Sequence, residues 1–298
     1  MSNHPNDAQQ DFTERFRKVK RRARMYNLSM ILFLLFLILF LASGAGIAIQ
    51  MYQDWHDAQL YSELSVLVTD PPETESHSTE PEGDVLPQET ETADPVETGP
   101  VEPTEPEILP RYQTVYSMNS DLFGWISIDG TSLNYPVMHT PDNEEYYLRK
   151  GFDKAYSRSG VPFLDADCQT GCGNYLIYGH NMTNGTMFAQ LVSYQNEKFW
   201  KEHPVIQFDT LYERGEYEVL AAFYSRVFYK YETNAFRYYE YHDLTDPDTF
   251  KRYVDWVRDQ SLYDTGVEAE PGDQLITLIT CSYGHSTERF VVVARKKQ

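Results

Sequence analysis

The stretch Gln274 to Ala294, "QLITLITCSYGHSTERFVVVA", contains two short apolar runs separated by a polar segment. The first run starts at Leu275 and closes at Cys281, and the second is opened by Arg289. Short runs rich in β-branched residues and bounded by turn-forming residues are typical of buried strands. The stretch therefore predicts a β-hairpin whose loop is residues 282–288.

The predicted hairpin brings a cysteine and an arginine together. If its strands pair antiparallel, Cys281 and Arg289 are cross-strand neighbours, with backbones roughly 5 Å apart. A guanidinium at that position favours the thiolate and can hold a developing oxyanion. The alternative is an ordinary core cysteine beside a charge at a strand end. The hairpin alone leaves both interpretations open.

The hairpin belongs to a predicted domain, residues 111–298, which is rich in aromatic residues and long enough for a substantial core. One helix is predicted, with Asp246 as N-cap and Pro247 at its first position, running to about Gln260. Many short strands with few helices indicate a β-barrel or a sandwich. The predicted strands are Trp125–Ile128, Leu133–Met138, Tyr175–Tyr178, Val205–Phe208 and Tyr217–Tyr224, and a further short helix is predicted at Thr186–Tyr194.

The N-terminus predicts a membrane anchor. Residues 1–27 form a basic tail, and residues 28–49 form a run of 22 uncharged, mostly apolar residues, enough to cross a hydrocarbon core roughly 30 Å thick. The next Lys or Arg is Arg111, so the positive-inside rule predicts a cytoplasmic N-terminus and an extracellular remainder. A cleaved signal peptide is the alternative, but the apolar run is longer than a usual signal core.

Residues 50–69 form a juxtamembrane segment, and residues 70–110 have a very different composition. This second segment has nine prolines, thirteen acidic residues and no Lys or Arg, so it cannot bury enough apolar surface to fold alone. We expect a disordered linker. It contributes much of the formal net charge of −20, which therefore indicates nothing about the substrate. The only basic cluster lies beside the membrane span, where anionic lipid is a simpler partner than nucleic acid.

The predicted extracellular domain has three cysteines, so at least one of them cannot form a disulfide within the domain. Cys168 and Cys172 lie four apart in the polar loop "DADCQTGCGN" and form a candidate disulfide if the loop bends enough. Two free thiols and a metal site are the alternatives, and the metal is the weakest because no matching Cys or His pair follows. A nucleophilic cysteine also needs an acid/base partner. Of eight histidines, His180 is favoured because it follows an apolar strand and Gly179.

Several segments resemble sortases, the cysteine transpeptidases of Gram-positive cell surfaces. "TLITC" before Cys281 and "RFVVVAR" from Arg289 resemble the active-site hairpin of that family, and "NYLIYGHNM" resembles its histidine strand. Three further segments resemble class B sortases in particular: "DLFGWISIDGTSLNYPVM", "YYLRKGFDKAYSRSGVPFLD" and "GTMFAQL". The resemblance covers nearly the whole predicted domain and implies an eight-stranded β-barrel with one inserted helix and N-terminal helical structure, to which 111–120 could contribute.

The resemblance also implies the roles of individual residues. Cys281 would be the nucleophile, His180 the general acid/base, and Arg289 the group that stabilises the oxyanion and orients the substrate. Tyr178 and Thr280, which flank two of these residues, are predicted substrate contacts. Ile279 is a third, at a position where many class B members carry a polar residue. The Cys168 and Cys172 pair lies outside the family pattern, and no cofactor or metal is implied.

The implied reaction is cleavage of a C-terminal sorting signal of surface proteins after a threonine, followed by transfer of the acyl group to an amine of a cell-wall precursor. A pilin lysine as acceptor is an alternative within the family. A different cysteine hydrolase or wall transpeptidase is a second alternative, because Cys-His chemistry recurs on unrelated folds. A non-catalytic interaction module on a stalk is a third, since the span and linker would serve it equally well.

Overall fold

A computed structural model describes residues 5–69, 106–281 and 287–298. The helices are α1 (Pro5–Leu67), α2 (Pro110–Met118), α3 (Glu197–Glu202) and α4 (Pro247–Gln260). The strands are β1 (Leu122–Ser127), β2 (Asn134–Met138), β3 (Phe163–Leu164), β4 (Asn174–Gly179), β5 (Val205–Thr210), β6 (Glu216–Arg226), β7 (Leu275–Cys281) and β8 (Glu288–Lys296). Short 3-10 helices occur at Tyr146–Arg149, Phe188–Gln195 and Tyr238–Glu240.

The eight strands of the described chain close into a barrel in the order β1-β2-β3-β4-β7-β8-β6-β5. Most neighbours are antiparallel, but β2 lies parallel to β3 and β4 lies parallel to β7. The predicted barrel and the β7/β8 hairpin are confirmed. The two-residue strand β3 was not predicted, because its pairing to β2 and β4 depends on the barrel and not on a local pattern.

Side chains alternate between two apolar cores along the hairpin strands. Ile276, Leu278 and Val292 belong to the larger core, together with residues of β1, β2 and β5. Leu275, Ile279 and neighbouring residues of β8 face the other way and pack with α4 in a second core. This alternation is the period-two pattern of a strand. It determines which hairpin residues face outward from the barrel.

Helix α4 packs on the outer face of the barrel and begins and ends as predicted. The Asp246 carboxylate accepts a hydrogen bond of 2.8 Å from the backbone N–H of Thr249, which satisfies one of the free N–H groups of the first turn. Phe250, Tyr253 and Val257 are buried on the inner face of the helix. Their spacing is that of an amphipathic helix packed on a sheet.

The compact unit that contains the barrel begins at Asp57, earlier than the expected boundary at Arg111. The last turns of α1 bury Tyr61, Leu64 and Val68 in the larger core. The Tyr61 hydroxyl donates to the Gly160 carbonyl oxygen at 3.1 Å. Part of the expected juxtamembrane segment is therefore structural, because its apolar side chains complete the core.

The two ends of the acidic segment meet at this same place. The Arg111 Nε donates to the Val68 carbonyl oxygen at 2.7 Å, and α2, which follows, buries Tyr112 and Val115. Most of the expected linker, residues 70–105, lies outside the described residues. The chain on both sides of these residues, at Val68 and at Arg111, packs in one compact unit.

The other compact unit is residues 1–56, of which the structure describes α1 from Pro5. Within the described residues, α1 is the one helix long and apolar enough to cross a membrane, with a candidate region at Met30–Leu67. The large apolar side chains between Met30 and Leu41 are exposed. This unit is consistent with the predicted anchor at 28–49.

Candidate active site

Three adjacent strands bring the predicted catalytic residues to one edge of the barrel. In the parallel pair β4/β7, Gly179 lies opposite Thr280, so His180 and Cys281 are the next residues at the ends of neighbouring strands. In the antiparallel pair β7/β8, Cys281 lies opposite Arg289. Neighbouring strands are about 4.8 Å apart. The backbone thus places all three residues side by side.

The strand register also puts Arg289 on the outer face of the barrel. Ile279 lies on that face, and so do Val291 and Val293 of β8. Side chains alternate along a strand, so Arg289, two residues before Val291, lies there too. The site is therefore a surface groove over the barrel wall and not part of the barrel interior.

A cavity of about 410 Å³ lies over this edge, within the usual range for ligand sites. The predicted residues His180 and Arg289 line it, and so do the three predicted substrate contacts, Tyr178, Ile279 and Thr280. Gly179 also lines the cavity, and the remaining lining residues come from three other segments: Glu144, Glu145 and Leu148; Phe163; and Val227, Tyr238 and Tyr239.

These other lining residues were not predicted from the sequence. They lie before or in the 3-10 helix at Tyr146–Arg149, on β3, and in the connection that follows β6. Each is distant in sequence from the catalytic motifs. Only the closure of the barrel brings these segments together. The one feature of the local sequence that could have indicated a binding site here is an abundance of aromatic residues.

His180 is half-buried and held by a backbone group. Its Nε2 donates to the Leu148 carbonyl oxygen at 3.0 Å, which leaves Nδ1 as the basic nitrogen. Burial lowers the pKa of His180, the hydrogen bond to Leu148 opposes that effect, and the nearby Arg149 lowers the pKa further. The imidazole is therefore neutral near pH 7 and can accept a proton.

Gly179, directly before His180, is required by packing. A Cβ at this position would lie 2.6 Å from Cγ of Phe188, closer than any ordinary contact. Phe188 is fully buried in the barrel core. The Phe188 ring lies so close to the end of β4 that there is no space for a side chain at position 179. This close packing fixes the backbone at the point where His180 follows the strand.

Tyr178 and Thr280 are held on the cavity wall by hydrogen bonds. The Tyr178 hydroxyl donates to the Asp165 carboxylate at 2.9 Å, and its ring stacks on Phe163 at 5.6 Å between centroids. The Thr280 hydroxyl donates to the Gly179 carbonyl oxygen at 2.8 Å. This last bond links β4 to β7 directly beside His180.

Charge is distributed unevenly around the cavity. Arg289 lies at the hairpin side, where its guanidinium donates to the Glu288 carbonyl oxygen at 2.9 Å. Glu144 lies on a different lining segment. Its pKa is raised by burial and then by the nearby carboxylates of Asp165, Glu145 and Asp167. A bound ligand would meet a cationic group near the cysteine and acidic groups elsewhere.

Cys168 and Cys172 are free cysteines outside this cavity, so the candidate disulfide is not formed in the structure. Both thiols point at one acceptor, the Asn174 carbonyl oxygen, at 3.5 and 3.4 Å. The Cys168 thiol hydrogen-bonds to Cys172, which raises the pKa of Cys168 and lowers that of Cys172. The arrangement corresponds to the alternative of two free thiols.

Comparison with known proteins gives a consistent result. The sortase domain family model matches residues 126–297, more than half of the chain. Sortase B of Staphylococcus aureus is 31% identical over 192 residues, which cover 63% of this chain and 75% of the relative. Sortase B of Listeria monocytogenes is 30% identical over 193 residues, covering 64% and 75%.

Solved structures agree. A Staphylococcus aureus sortase B–substrate complex aligns with a TM-score of 0.58 at 28% identity, covering 64% of this chain and 87% of that one. Clostridium perfringens sortase B aligns with a TM-score of 0.55 at 28% identity, covering 62% and 98%. The family resemblance predicted from the sequence is confirmed, and the chain belongs to the sortase family of cysteine transpeptidases, with class B sortases as its relatives.

Proposed function

We propose that this chain cleaves a C-terminal sorting signal of surface proteins after a threonine and transfers the acyl group to an amine of a cell-wall precursor. Cys281 is the nucleophile, His180 the general acid/base, and Arg289 the oxyanion-stabilising group. The observation that supports these roles is the register of β4, β7 and β8, which aligns the three residues at one edge. A relative solved as a substrate complex supports the substrate class.

The first half-reaction forms an acyl-enzyme. Nδ1 of the neutral His180 accepts the thiol proton of Cys281, and the thiolate attacks the threonine carbonyl carbon. The negative charge that develops on the carbonyl oxygen is stabilised by the Arg289 guanidinium. The imidazolium then gives its proton to the departing amine as the peptide bond breaks. A thioester to Cys281 remains.

The second half-reaction transfers the acyl group. An incoming amine attacks the thioester carbonyl, and His180 accepts a proton from it. The tetrahedral intermediate collapses, the new amide forms, and Cys281 leaves as a thiolate that regains its proton from His180. Tyr178, Ile279 and Thr280 line the cavity and would contact the sorting peptide.

We also propose that the helix over 28–49 anchors the protein in the cell membrane, with the basic tail in the cytoplasm and the catalytic domain outside. The exposed apolar side chains of this helix support the anchor, and the basic residues on its N-terminal side support the orientation. This location gives the catalytic domain access to surface proteins as they emerge and to wall precursors. Protease protection of an N-terminal tag in intact cells would test the orientation.

The test of the reaction uses the full chain in detergent with a library of threonine-containing sorting-signal peptides. We expect cleavage after threonine, a thioester adduct on Cys281 detectable by mass spectrometry, and faster turnover when an amine acceptor is added. Cys281→Ala should abolish all three. Cys172→Ala is the matched control, since Cys172 does not line the cavity and its loss should leave turnover intact.

Two results would contradict the proposal. One is undiminished peptide cleavage by Cys281→Ala. The other is cleavage by the native chain that leaves no adduct on Cys281 and ignores added amines, which would indicate a hydrolytic mechanism through other residues.

A further inference from the structure

The cavity wall contains a buried hydroxyl that the catalytic roles above do not use. Tyr238 begins the 3-10 helix Tyr238–Glu240 after β6, lines the cavity together with Arg289, and is 0% exposed. Its hydroxyl makes no hydrogen bond within 3.5 Å to any residue that the structure describes, although the Ser225 side chain is near enough to affect its pKa. Leaving such a group unpaired costs about 1–3 kcal/mol, so a partner in the working enzyme is expected.

The Tyr238 ring is held firmly in place. It stacks on Trp256 at 6.0 Å between centroids and meets Phe223 edge-on at 5.9 Å. Tyr239 packs against it from the same short helix, at 5.2 Å. These ring contacts on three sides fix the direction of the Tyr238 hydroxyl. A hydrogen-bond acceptor that is held in place in this way can orient a flexible donor side chain.

Arg289 is the cationic neighbour of this hydroxyl. Ser225 lies opposite Arg289 in the β6/β8 ladder. Burial raises the pKa of Tyr238, whereas the positive charge of Arg289 and a weak hydrogen-bonding interaction with the Ser225 side chain both lower it. Tyr238, Ser225 and Arg289 thus form one polar group behind the edge where Cys281 lies.

We propose that Tyr238 is a positioning residue for Arg289: the guanidinium donates a hydrogen bond to the phenol oxygen when it turns toward the reacting carbonyl. In the structure one guanidinium N–H instead donates to the Glu288 backbone. A rigid acceptor beside the cavity gives the long arginine side chain a second, defined position. Hydrogen bonds to a charged group are stronger than those between neutral groups. The inference rests on the proposed role of Arg289.

The test compares Tyr238→Phe with the native full chain in detergent. We expect kcat to fall about tenfold with KM nearly unchanged, because the lost bond acts in the transition state. Stability should be equal or higher, since an unpaired buried hydroxyl is removed. Tyr253→Phe is the control: its hydroxyl bonds to Thr277 Oγ1 at 2.7 Å, so it should lose stability and keep kcat.

A second measurement does not depend on peptide cleavage. The rate of Cys281 alkylation by iodoacetamide, followed by peptide mapping across a range of pH, reports the effect of Arg289 on the thiol. Tyr238→Phe and Arg289→Lys should shift this profile to higher pH, and the double variant should shift no further than Arg289→Lys alone.

The outcomes separate the two proposals. If the native chain cleaves no sorting peptide but Tyr238→Phe and Arg289→Lys share the alkylation shift, the positioning role stands and the proposed reaction fails. An unchanged alkylation profile in Tyr238→Phe overturns the positioning role. So does additivity of the two substitutions, or an effect of Tyr238→Phe on KM alone, which would make the hydroxyl a substrate contact.

Discussion

Leu64 near the end of α1 tests whether the catalytic unit includes chain that precedes the acidic segment. Leu64 is 1% exposed and belongs to the larger core, whereas Leu67, in the same last turns, is 45% exposed. Leu64→Ala should therefore lower the free energy of unfolding by about 2–5 kcal/mol, the usual cost of truncating a buried leucine. Leu67→Ala should change it by less than about 0.5 kcal/mol.

The measurement is urea unfolding of the full chain in detergent, followed by tryptophan fluorescence. With a slope of about 3 kcal/mol per molar urea, expected for a large domain, the midpoint of Leu64→Ala should fall by roughly 0.7–1.7 M. Both leucines are replaced by the same residue in one helix, so helix propensity cancels in the comparison.

A deletion extends the same reasoning. A chain that starts at Asp57 keeps Tyr61, Leu64 and Val68, and should unfold cooperatively. A chain that starts at Pro106 loses all three, and burial of each such side chain is worth about 1.5–3 kcal/mol. That sum approaches the whole stability of many domains. Equal midpoints for the two leucine variants, or for the two chains, would refute the placement of α1 in the core.

Three further predictions concern other parts of the molecule. Gly179→Ala should cost at least about 1 kcal/mol of stability, because its Cβ would displace Phe188, and should slow peptide cleavage; unchanged unfolding and turnover would contradict the packing argument. Burial lowers the pKa of His139, so on acidification the unfolded chain binds a proton at this residue before the folded chain does. The free energy of unfolding should therefore fall as the pH drops below about 6.5. The urea midpoint should fall less over this pH range in His139→Phe than in the native chain. The thiols of Cys168 and Cys172 interact with each other, so we expect air or a disulfide reagent to oxidise them to a disulfide. After this oxidation, both cysteines should be alkylated only once a reductant has been added. Alkylation of both without reductant would exclude the bridge.

Much of the architecture could be predicted from local sequence. The period-two pattern around Cys281, the capped amphipathic pattern of α4 and the apolar run at 28–49 each depend on neighbours within a few residues. The pairing of Cys281 with Arg289 followed from one hairpin and is confirmed by the strand register. His180 was selected because it ends a strand.

The tertiary structure alone decided which segments cover that edge. Nothing local indicates that β4 lies parallel to β7, which aligns His180 with Cys281, or that Tyr238 reaches the cavity beside Arg289.

The place of the α1 end was likewise undetermined by the sequence. Tyr61, Leu64 and Val68 have a pattern that suits a solvent-exposed connection as well as a core. Their partners lie across the acidic segment, dozens of residues away, at Gly160 and on α2 and the barrel. Local sequence indicates which elements form because side-chain periodicity, helix caps and turns depend on nearby residues, whereas strand pairing and burial depend on distant partners that only the closed barrel brings into contact.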